Sequence, residues 1–175
     1  MARRYSARRY ARAVFEIALE KKQLDEWQSG LEEMTRLGRD ETIASFLESP
    51  DIRFEDKARL LSEGLGDTNP LVMNMAYLLL TRGKFGMLAD IADGYQRLLD
   101  DYNNIERAEV TTAVPLDNED RQRLAKRLGD ITGKKVILEH EVDPDLIGGV
   151  VVRMAGKMMD GSTRGKLEAL KRELG

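Results

Sequence analysis

The chain has 175 residues, no cysteine and one histidine, with a formal net charge of -3 at pH 7. The missing cysteines exclude disulfides, thiolate metal sites and a cysteine nucleophile, and one histidine cannot form a zinc-binding histidine cluster. With 42% hydrophobic and 34% charged residues, the composition is typical of a soluble globular protein without a global attraction to nucleic acid.

The N-terminus is rich in arginine, and five arginines precede the first acidic residue: Arg3, Arg4, Arg8, Arg9 and Arg12. A secretory signal would continue with an apolar segment, but charged residues interrupt this one. We therefore expect an uncleaved N-terminus and a cytoplasmic protein. The longest apolar stretch, "LVMNMAYLLL", has about half the length of a membrane-spanning helix, so we expect no direct membrane insertion.

Apolar residues at helical spacing predict six consecutive helices in the first 104 or so residues. The first four carry Tyr10, Val14, Ile17 and Ala18; Leu24, Trp27, Leu31 and Met34; Ile43, Phe46 and Leu47; and Phe54, Ala58, Leu61 and Leu65. Asn69 is placed to cap the fifth helix, with Pro70 at its first position. The sixth carries Phe85, Leu88, Ile91, Ala92, Tyr95, Leu98 and Tyr102. The short connections predict a six-helix bundle as a first domain, residues 1–105.

The periodicity changes after "DYNNIER", where alternating residues predict strands. The segment "AEVTTAV" is predicted to be a strand. Asp117 is placed to cap the helix that follows, and Gly133 is placed to end it. The segments "KKVILEHEV" and "GGVVVRM" are predicted to be further strands. "AGK" turns the chain, and Met158 and Met159 continue the strand or pair back onto it. Ser162 is expected to cap a last helix with Leu167, Leu170 and Leu174 on one face. The fold class is therefore mainly α with a small C-terminal α+β domain, residues 106–175.

The glycine-rich end of the chain does not carry a catalytic loop. "GSTRGKL" has three residues where a phosphate-binding loop needs four, and Leu167 stands where that loop needs a hydroxyl. No G-x-S-x-G nucleophile elbow is present either. The pattern favours a structural role, in which Gly148 and Gly149 bend the entry to a strand and Asp160-Gly161 makes a turn. We expect no catalytic residues, no metal and no cofactor.

Other candidate features have ordinary structural interpretations. The N-terminal arginines favour a solvated helix face over a nucleic-acid site, because the whole chain is acidic. His140, between Glu139 and Glu141 on a strand, is expected to be exposed. The methionines are expected to pack adaptably in the core.

The first helix carries more apolar residues than a core stripe needs. Between Tyr10 and Leu19 they cover an arc of about 240°, and the fifth helix is apolar nearly all round. Two interpretations remain open: both helices are buried within the bundle, or they leave an apolar groove that accepts a partner's helix.

Several segments in order resemble one protein family. "RRYARAVFEIALE", "FLESPDIRFEDKARLL" and "LLLTRGKFGMLADIADGYQRLLDDYNN" resemble the helical part of the delta subunit of F-type ATP synthases, which is related to the mitochondrial oligomycin sensitivity conferring protein. The C-terminal part resembles the family signature, through Asp143, Gly148, Gly149, Arg153, Asp160, Gly161 and Ser162. Two departures occur: Ala155-Gly156 stands where the family has Gly-Asp, and Met158-Met159 where it has Val-Ile.

The resemblance implies a non-catalytic stator subunit that ties the catalytic head to the peripheral stalk, one copy per complex, at the cytoplasmic face of a bacterial inner membrane. It implies that a groove between the first and fifth helices binds the N-terminal helix of an alpha subunit. The groove residues would be Tyr10, Ala13, Val14 and Ile17 on the first helix, and Asn74, Tyr77 and Leu78 on the fifth. The second domain would contact b-type stalk subunits. The alternatives are a nucleic-acid adaptor that uses the N-terminal arginines and a small phosphotransfer enzyme.

Overall fold

A computed structural model describes residues 2–66, 68–146 and 148–161. These residues are mostly helical, with a small four-stranded sheet. The helices are α1 Ala2–Lys21, α2 Leu24–Leu37, α3 Glu41–Glu48, α4 Phe54–Leu65, α5 Pro70–Thr81, α6 Leu88–Tyr102 and α7 Asn118–Thr132. The strands are β1 Ile105–Thr112, β2 Lys135–Val142, β3 Val150–Met154 and β4 Lys157–Asp160. The chain divides into two compact units, the N-terminal unit Met1–Leu99 and the C-terminal unit Asp100–Gly175.

Local sequence signals fix where several of these helices begin and end. The Asn69 side chain accepts a hydrogen bond from the Leu71 N–H with Pro70 in the first turn, as predicted for α5. The Asp117 side chain accepts from the Asp120 N–H at 2.7 Å, which confirms the predicted cap of α7. Gly133 follows α7 with φ of 68°, in the left-handed region where a residue without Cβ has no steric penalty.

The core of the N-terminal unit is built around a stripe of small residues on α1: Ala7, Ala11, Val14 and Ala18 are all buried. Small side chains let neighbouring helices approach closely. A Cβ placed on Gly94 of α6 would lie 2.8 Å from the Ala11 Cβ, and one on Gly30 of α2 would lie 2.6 Å from a Val72 methyl group of α5. The helices of this unit therefore meet at points where only glycine fits.

Tyr95 on α6 links three helices at the centre of this core. Its hydroxyl donates to the Leu24 carbonyl at 2.8 Å, and its ring meets Phe15 edge to face at 5.7 Å. Burial raises the pKa of the Tyr95 phenol well above its ordinary value, and the nearby charge of Asp25 raises it further. The phenol therefore stays protonated and remains a hydrogen-bond donor at physiological pH.

Lys57 connects α4 to the end of α3. Its side chain is only 9% exposed, and Nζ donates to the Ser49 carbonyl at 2.6 Å, directly after the last residue of α3. A cation at the C-terminus of a helix is stabilised by the unpaired carbonyl groups there. The predicted stop of this helix at Ser49-Pro50 is confirmed.

Three of the residues that recur at helical spacing are exposed. Ile17 is 41%, Phe54 43% and Tyr102 58% exposed. On α1 the centre of the buried face lies along the alanines, so that Ile17 lies on its flank. On α6 the buried position is Leu99, and Phe85 belongs to a short 3-10 turn, Phe85–Met87, that precedes the helix.

The sheet of the C-terminal unit has the order β2-β1-β3-β4. β1 and β2 are parallel and joined through α7, whereas β1–β3 and β3–β4 are antiparallel. The core consists of the buried residues Ala108, Val110, Leu128, Val152 and Met154. α7 thus supplies the crossover that a parallel strand pair requires, and Leu128 joins it to the core of the sheet.

β4 pairs back onto β3 through a two-residue turn. Ala155 and Gly156 have φ of 51° and 73°, the left-handed conformations that two-residue hairpin turns require. Met158 and Met159, which were expected to continue the strand or to pair back, pair back onto β3 and are 59% and 42% exposed. They lie on a four-residue edge strand, Lys157–Asp160, that is exposed throughout.

The prediction that His140 is simply exposed was also wrong. The ring is half-buried and contacts the side chains of Thr112 and Arg121. The predicted last helix, with Leu167, Leu170 and Leu174, lies outside the described residues. Among the residues that are described, no helix is long and apolar enough to cross a membrane.

Candidate partner-binding surface

The predicted groove residues of α1 divide between one flank and the core. At about 100° per residue, Tyr10, Ala13 and Ile17 fall within an arc of about 60°. Ala13 and Ile17 are exposed and Tyr10 is half-buried, so these three present an accessible apolar flank. Val14, in contrast, is only 5% exposed and belongs to the core, so its assignment to a free groove was wrong. It follows Ala7 and Ala11 along the buried stripe.

The predicted groove residues of α5 all lie on its outer side. Asn74 is exposed, Leu78 is 44% exposed and Tyr77 is half-buried. Tyr77 meets Phe54 of α4 edge to face, with ring centroids 5.9 Å apart. Phe54 is a surface residue that the sequence analysis did not count among the groove residues. It is the first residue of α4 and has no preceding turn to cover it.

One contact and one shared cleft favour an arrangement in which α1 and α5 run in opposite directions. Lys84, just after α5, places Nζ 3.5 Å from Ser6 Oγ and 5.5 Å from the centre of the Tyr10 ring. At the other end, Gln23, just after α1, and Leu71, at the start of α5, line one cleft. The Tyr10 flank of α1 thus faces the side of α5. We name the exposed or half-buried residues Tyr10, Ala13, Ile17, Asn74, Tyr77 and Leu78 the α1/α5 surface.

The cleft at one end of the α1/α5 surface carries three carboxylates, those of Asp25, Glu26 and Glu33. It measures about 910 Å³. Glu26 accepts from Asn69 Nδ2 at 2.6 Å, and Glu33 accepts from Thr68 Oγ1 at 3.1 Å. These bonds tie the loop before α5 to α2 and therefore fix the start of α5.

Several signature residues of the C-terminal unit stabilise turns through backbone hydrogen bonds or backbone conformation. The Asp143 N–H donates to the Thr112 carbonyl at 2.9 Å, and its carboxylate accepts from the Asp145 N–H at 3.0 Å. Gly149, with φ of 90°, allows the chain to turn into β3 after Gly148. The Gly161 N–H donates to the Val150 carbonyl at 2.9 Å, closing the hairpin. Each of these contacts orders a turn, and none assembles a reactive group.

The two remaining described signature residues lie on the hairpin strands. Arg153 of β3 is exposed opposite Glu109, and Asp160 ends β4 opposite Val151. Ser162 lies outside the described residues, as does Lys166. The signature is therefore spread over a strand entry, two strands and a turn.

Strong ion pairs in the C-terminal unit stabilise the start of the sheet. Arg107 on β1 donates to Asp100 at 2.6 Å and to Glu139 on β2 at 3.0 Å. The hydrogen bond to Asp100 raises the pKa of the Arg107 guanidinium, and the hydrogen bond to Glu106 raises the pKa of Lys134. All these shifts favour the charged forms in which the pairs hold together.

The N-terminal arginines whose side chains are described lie on the solvent side of α1. Arg8 and Arg9 are exposed, and Arg12 Nε donates to Glu16 at 3.0 Å one turn along the helix. This arrangement is that of an ordinary charged helix face. Within residues 2–66, 68–146 and 148–161, no three His, Asp or Glu side chains are placed to hold a metal ion.

Comparison with known proteins gives one consistent family. The family model "ATP synthase delta (OSCP) subunit" matches residues 7–174. The chain is 36% identical to ATP synthase subunit delta of Dehalococcoides mccartyi, over 96% of this chain and 93% of that relative. It is 37% identical to ATP synthase subunit delta of Moorella thermoacetica, over 97% and 96%.

The fold has a match among solved structures as well. A chain in the cryo-EM structure of the Toxoplasma gondii mitochondrial ATP synthase hexamer superimposes with a TM-score of 0.69 at 22% identity, over 96% of both chains. At that level of identity the match concerns the fold alone.

Proposed function

Because the chain belongs to the ATP synthase delta (OSCP) subunit family, we propose that it is the stator subunit that couples the catalytic head to the peripheral stalk. The family model covers residues 7–174, and this match carries the function. Delta-family proteins are structural, non-catalytic subunits of ATP synthase. Rotation of the central shaft exerts torque on the head, and a tether keeps the head from turning with the shaft. The comparisons give no support for a nucleic-acid adaptor.

The chain carries out this role without catalytic groups of its own. The signature residues Asp143, Gly149 and Gly161 order turns through backbone hydrogen bonds. The charged groups Arg107 and Lys134 are engaged in ion pairs. These assignments leave the subunit with a mechanical task, in which it binds two partners at once and transmits force between them.

The N-terminal unit acts as a six-helix bundle whose α1/α5 surface binds the N-terminal helix of an alpha subunit. Ile17 and Leu78 give it exposed apolar area, and the tyrosines Tyr10 and Tyr77 combine a flat ring with a polar tip. An amphipathic helix lies in such a surface with residues one turn apart as its anchors. Ala13 leaves room for the partner's backbone. Val14 supports this surface from below and does not touch the partner.

We expect Ile17→Asp to weaken binding of an alpha-subunit N-terminal peptide about tenfold, while the chain stays folded. The reason is the loss of about 1.4 kcal/mol from apolar burial at the interface. Leu19→Asp is the matched control: Leu19 is 40% exposed, against 41% for Ile17, and lies about 160° away around the same helix. Calorimetric titration of both variants measures the difference. Equal weakening by the two variants would show that the α1/α5 surface is not the binding face.

The C-terminal unit contacts the b-type subunits of the peripheral stalk, with one copy of the chain per complex. The relatives named above are bacterial, and we infer from this that the complex lies at the cytoplasmic face of the inner membrane. Membrane attachment then comes through the partners.

Affinity purification of the tagged chain from native membranes tests the assignment. The alpha and b-type subunits should be recovered together with it, and Ile17→Asp should selectively reduce recovery of the alpha subunit. Recovery of nucleic acid without either subunit would contradict the proposed function.

A further inference from the structure

The only histidine of the chain bridges the sheet and α7 in the C-terminal unit. His140 lies on β2 opposite Val110 of the parallel strand β1. Its Nε2 is 2.7 Å from Thr112 Oγ1 at the end of β1, and its Nδ1 is 3.2 Å from a guanidinium nitrogen of Arg121 in the first turns of α7. The ring thus joins two segments that are distant in sequence.

The chemistry of the partners fixes the protonation state of this ring. A guanidinium group has donors only, so Nδ1 must accept from Arg121. The Thr112 hydroxyl has one proton, which it donates to the Val114 carbonyl at 2.6 Å, so Oγ1 must accept from Nε2–H. Both bonds exist together only when His140 is neutral and carries its proton on Nε2.

The bridge also fixes the loop between β1 and α7. The Thr112 side chain, only 3% exposed, holds the Val114 carbonyl, while the Thr112 carbonyl accepts from the Asp143 N–H. Arg121 lies one turn after the Asp117 cap, and its N–H donates to the Asp117 carbonyl at 3.0 Å. The His140 ring therefore contacts both the residue that holds the loop 113–117 and the first turns of α7.

The charged group that contacts the ring on the α7 side is a cation. Arg121 is the cation that contacts the ring, and the acids in the first turn of α7 engage other groups: Asp117 caps the helix, while Glu119 and Asp120 pair with Arg123. On β2 itself, the flanking acids Glu139 and Glu141 alternate to the opposite face of the sheet, where Glu139 binds Arg107. In the following loop, Asp143 accepts from the Asp145 N–H. On β1, the side chain that contacts the ring is the uncharged Thr112.

We propose that His140 is a proton-sensitive latch that holds the loop 113–117 and the start of α7 on the sheet. Protonation occupies the Nδ1 lone pair, removes the bond from Arg121 and turns an N–H toward a guanidinium group of like charge. Acidification that protonates the ring therefore opens the latch. The direction of the pH dependence is therefore fixed: the latch is closed when the ring is neutral, at higher pH, and open when the ring is protonated, at lower pH.

The test uses the full chain, in which the one histidine gives unambiguous imidazole signals. Nitrogen-15 spectra at about pH 8 should show a neutral ring with its proton on Nε2. Between about pH 7.5 and pH 5.5, amide exchange at Asp120, Arg121 and Asp143, corrected for the intrinsic pH dependence, should accelerate about fivefold or more, as expected for one lost hydrogen bond. Exchange at Ala108 and Val110, in the middle of β1, should not change.

Two variants separate the latch from a general effect of acid. His140→Gln keeps one acceptor and one donor but has no charge, so its exchange at the three reporter amides should be slow at both pH values. His140→Lys carries a fixed charge and should exchange rapidly at both. An Nδ1–H tautomer in the wild-type chain, or the same pH dependence in His140→Gln as in the wild type, would overturn the proposal.

Discussion

Replacing Val14 with aspartate is expected to destabilise the N-terminal unit by about 3 kcal/mol or more. The position is 5% exposed between Ala11 and Ala18 on the buried stripe of α1, and the described contacts offer no cation there. A carboxylate at this place either stays charged without a partner or takes up a proton, and both outcomes cost free energy. Denaturant unfolding followed by the fluorescence of Trp27, the single tryptophan and 2% exposed, measures the loss.

Ala13→Asp is the natural control for this prediction. Ala13 is the neighbouring residue on the same helix but is exposed, so its aspartate remains in water. The control should lower the free energy of unfolding by about 0.7 kcal/mol at most, the difference in helix propensity between alanine and aspartate. A stable Val14→Asp variant that loses only its affinity for the alpha-subunit peptide would instead return Val14 to the partner-binding surface.

Gly30→Leu is expected to destabilise the same unit by about 2–3 kcal/mol through overpacking. A Cβ alone would approach the two methyl groups of Val72 to 2.6 and 3.0 Å, and Val72 is itself completely buried. A branched side chain there has few ways to turn aside, so α2 and α5 must separate. The gain in helix propensity over glycine, about 1 kcal/mol, is too small to compensate.

Ser29→Leu provides the comparison, because Ser29 is the adjacent, exposed residue of α2. It gains helix propensity without a clash and should unfold at the same denaturant concentration as the wild type or slightly higher. If Gly30→Leu were as stable as Ser29→Leu, the close approach of α2 and α5 would not exist in solution.

Features that depend on a few neighbouring residues were predictable from the sequence. Asn69 with Pro70, Asp117 and Gly133 mark helix ends by local chemistry, and the structure has these ends as predicted. The strand pairing of β4 was left open, because it depends on backbone conformation at Ala155 as well as Gly156. A positive φ at alanine is uncommon, and nothing in the local sequence requires it.

Features that depend on which helices are neighbours were harder to predict from the sequence. Helical spacing placed Val14 and Ile17 together on one apolar arc, but only packing against the other helices decides that Val14 is buried and Ile17 exposed. The same limit applies to His140, whose partners Thr112 and Arg121 come from separate elements. No local pattern reveals such contacts.

The α1/α5 surface was predicted partly from the residue pattern and partly from the family resemblance. Composition and periodicity indicated an excess of apolar residues on the first and fifth helices, whereas the residue assignment came from the family resemblance. The antiparallel arrangement of α1 and α5 rests on the contacts of Lys84 with Ser6 and Tyr10, a long-range feature that no sequence window contains. Phe54 was missed for the same reason.

The measurement that tests the stator role most directly is reattachment of the catalytic head to stalk-bearing membranes. Membranes stripped of the head and of this chain are mixed with purified head, and bound ATPase activity and ATP-driven proton pumping are recorded. We predict that the wild-type chain and Leu19→Asp restore both, whereas Ile17→Asp restores less of each at the same concentration. Equal attachment and pumping with no added chain would contradict the conclusion that it tethers the head to the stalk.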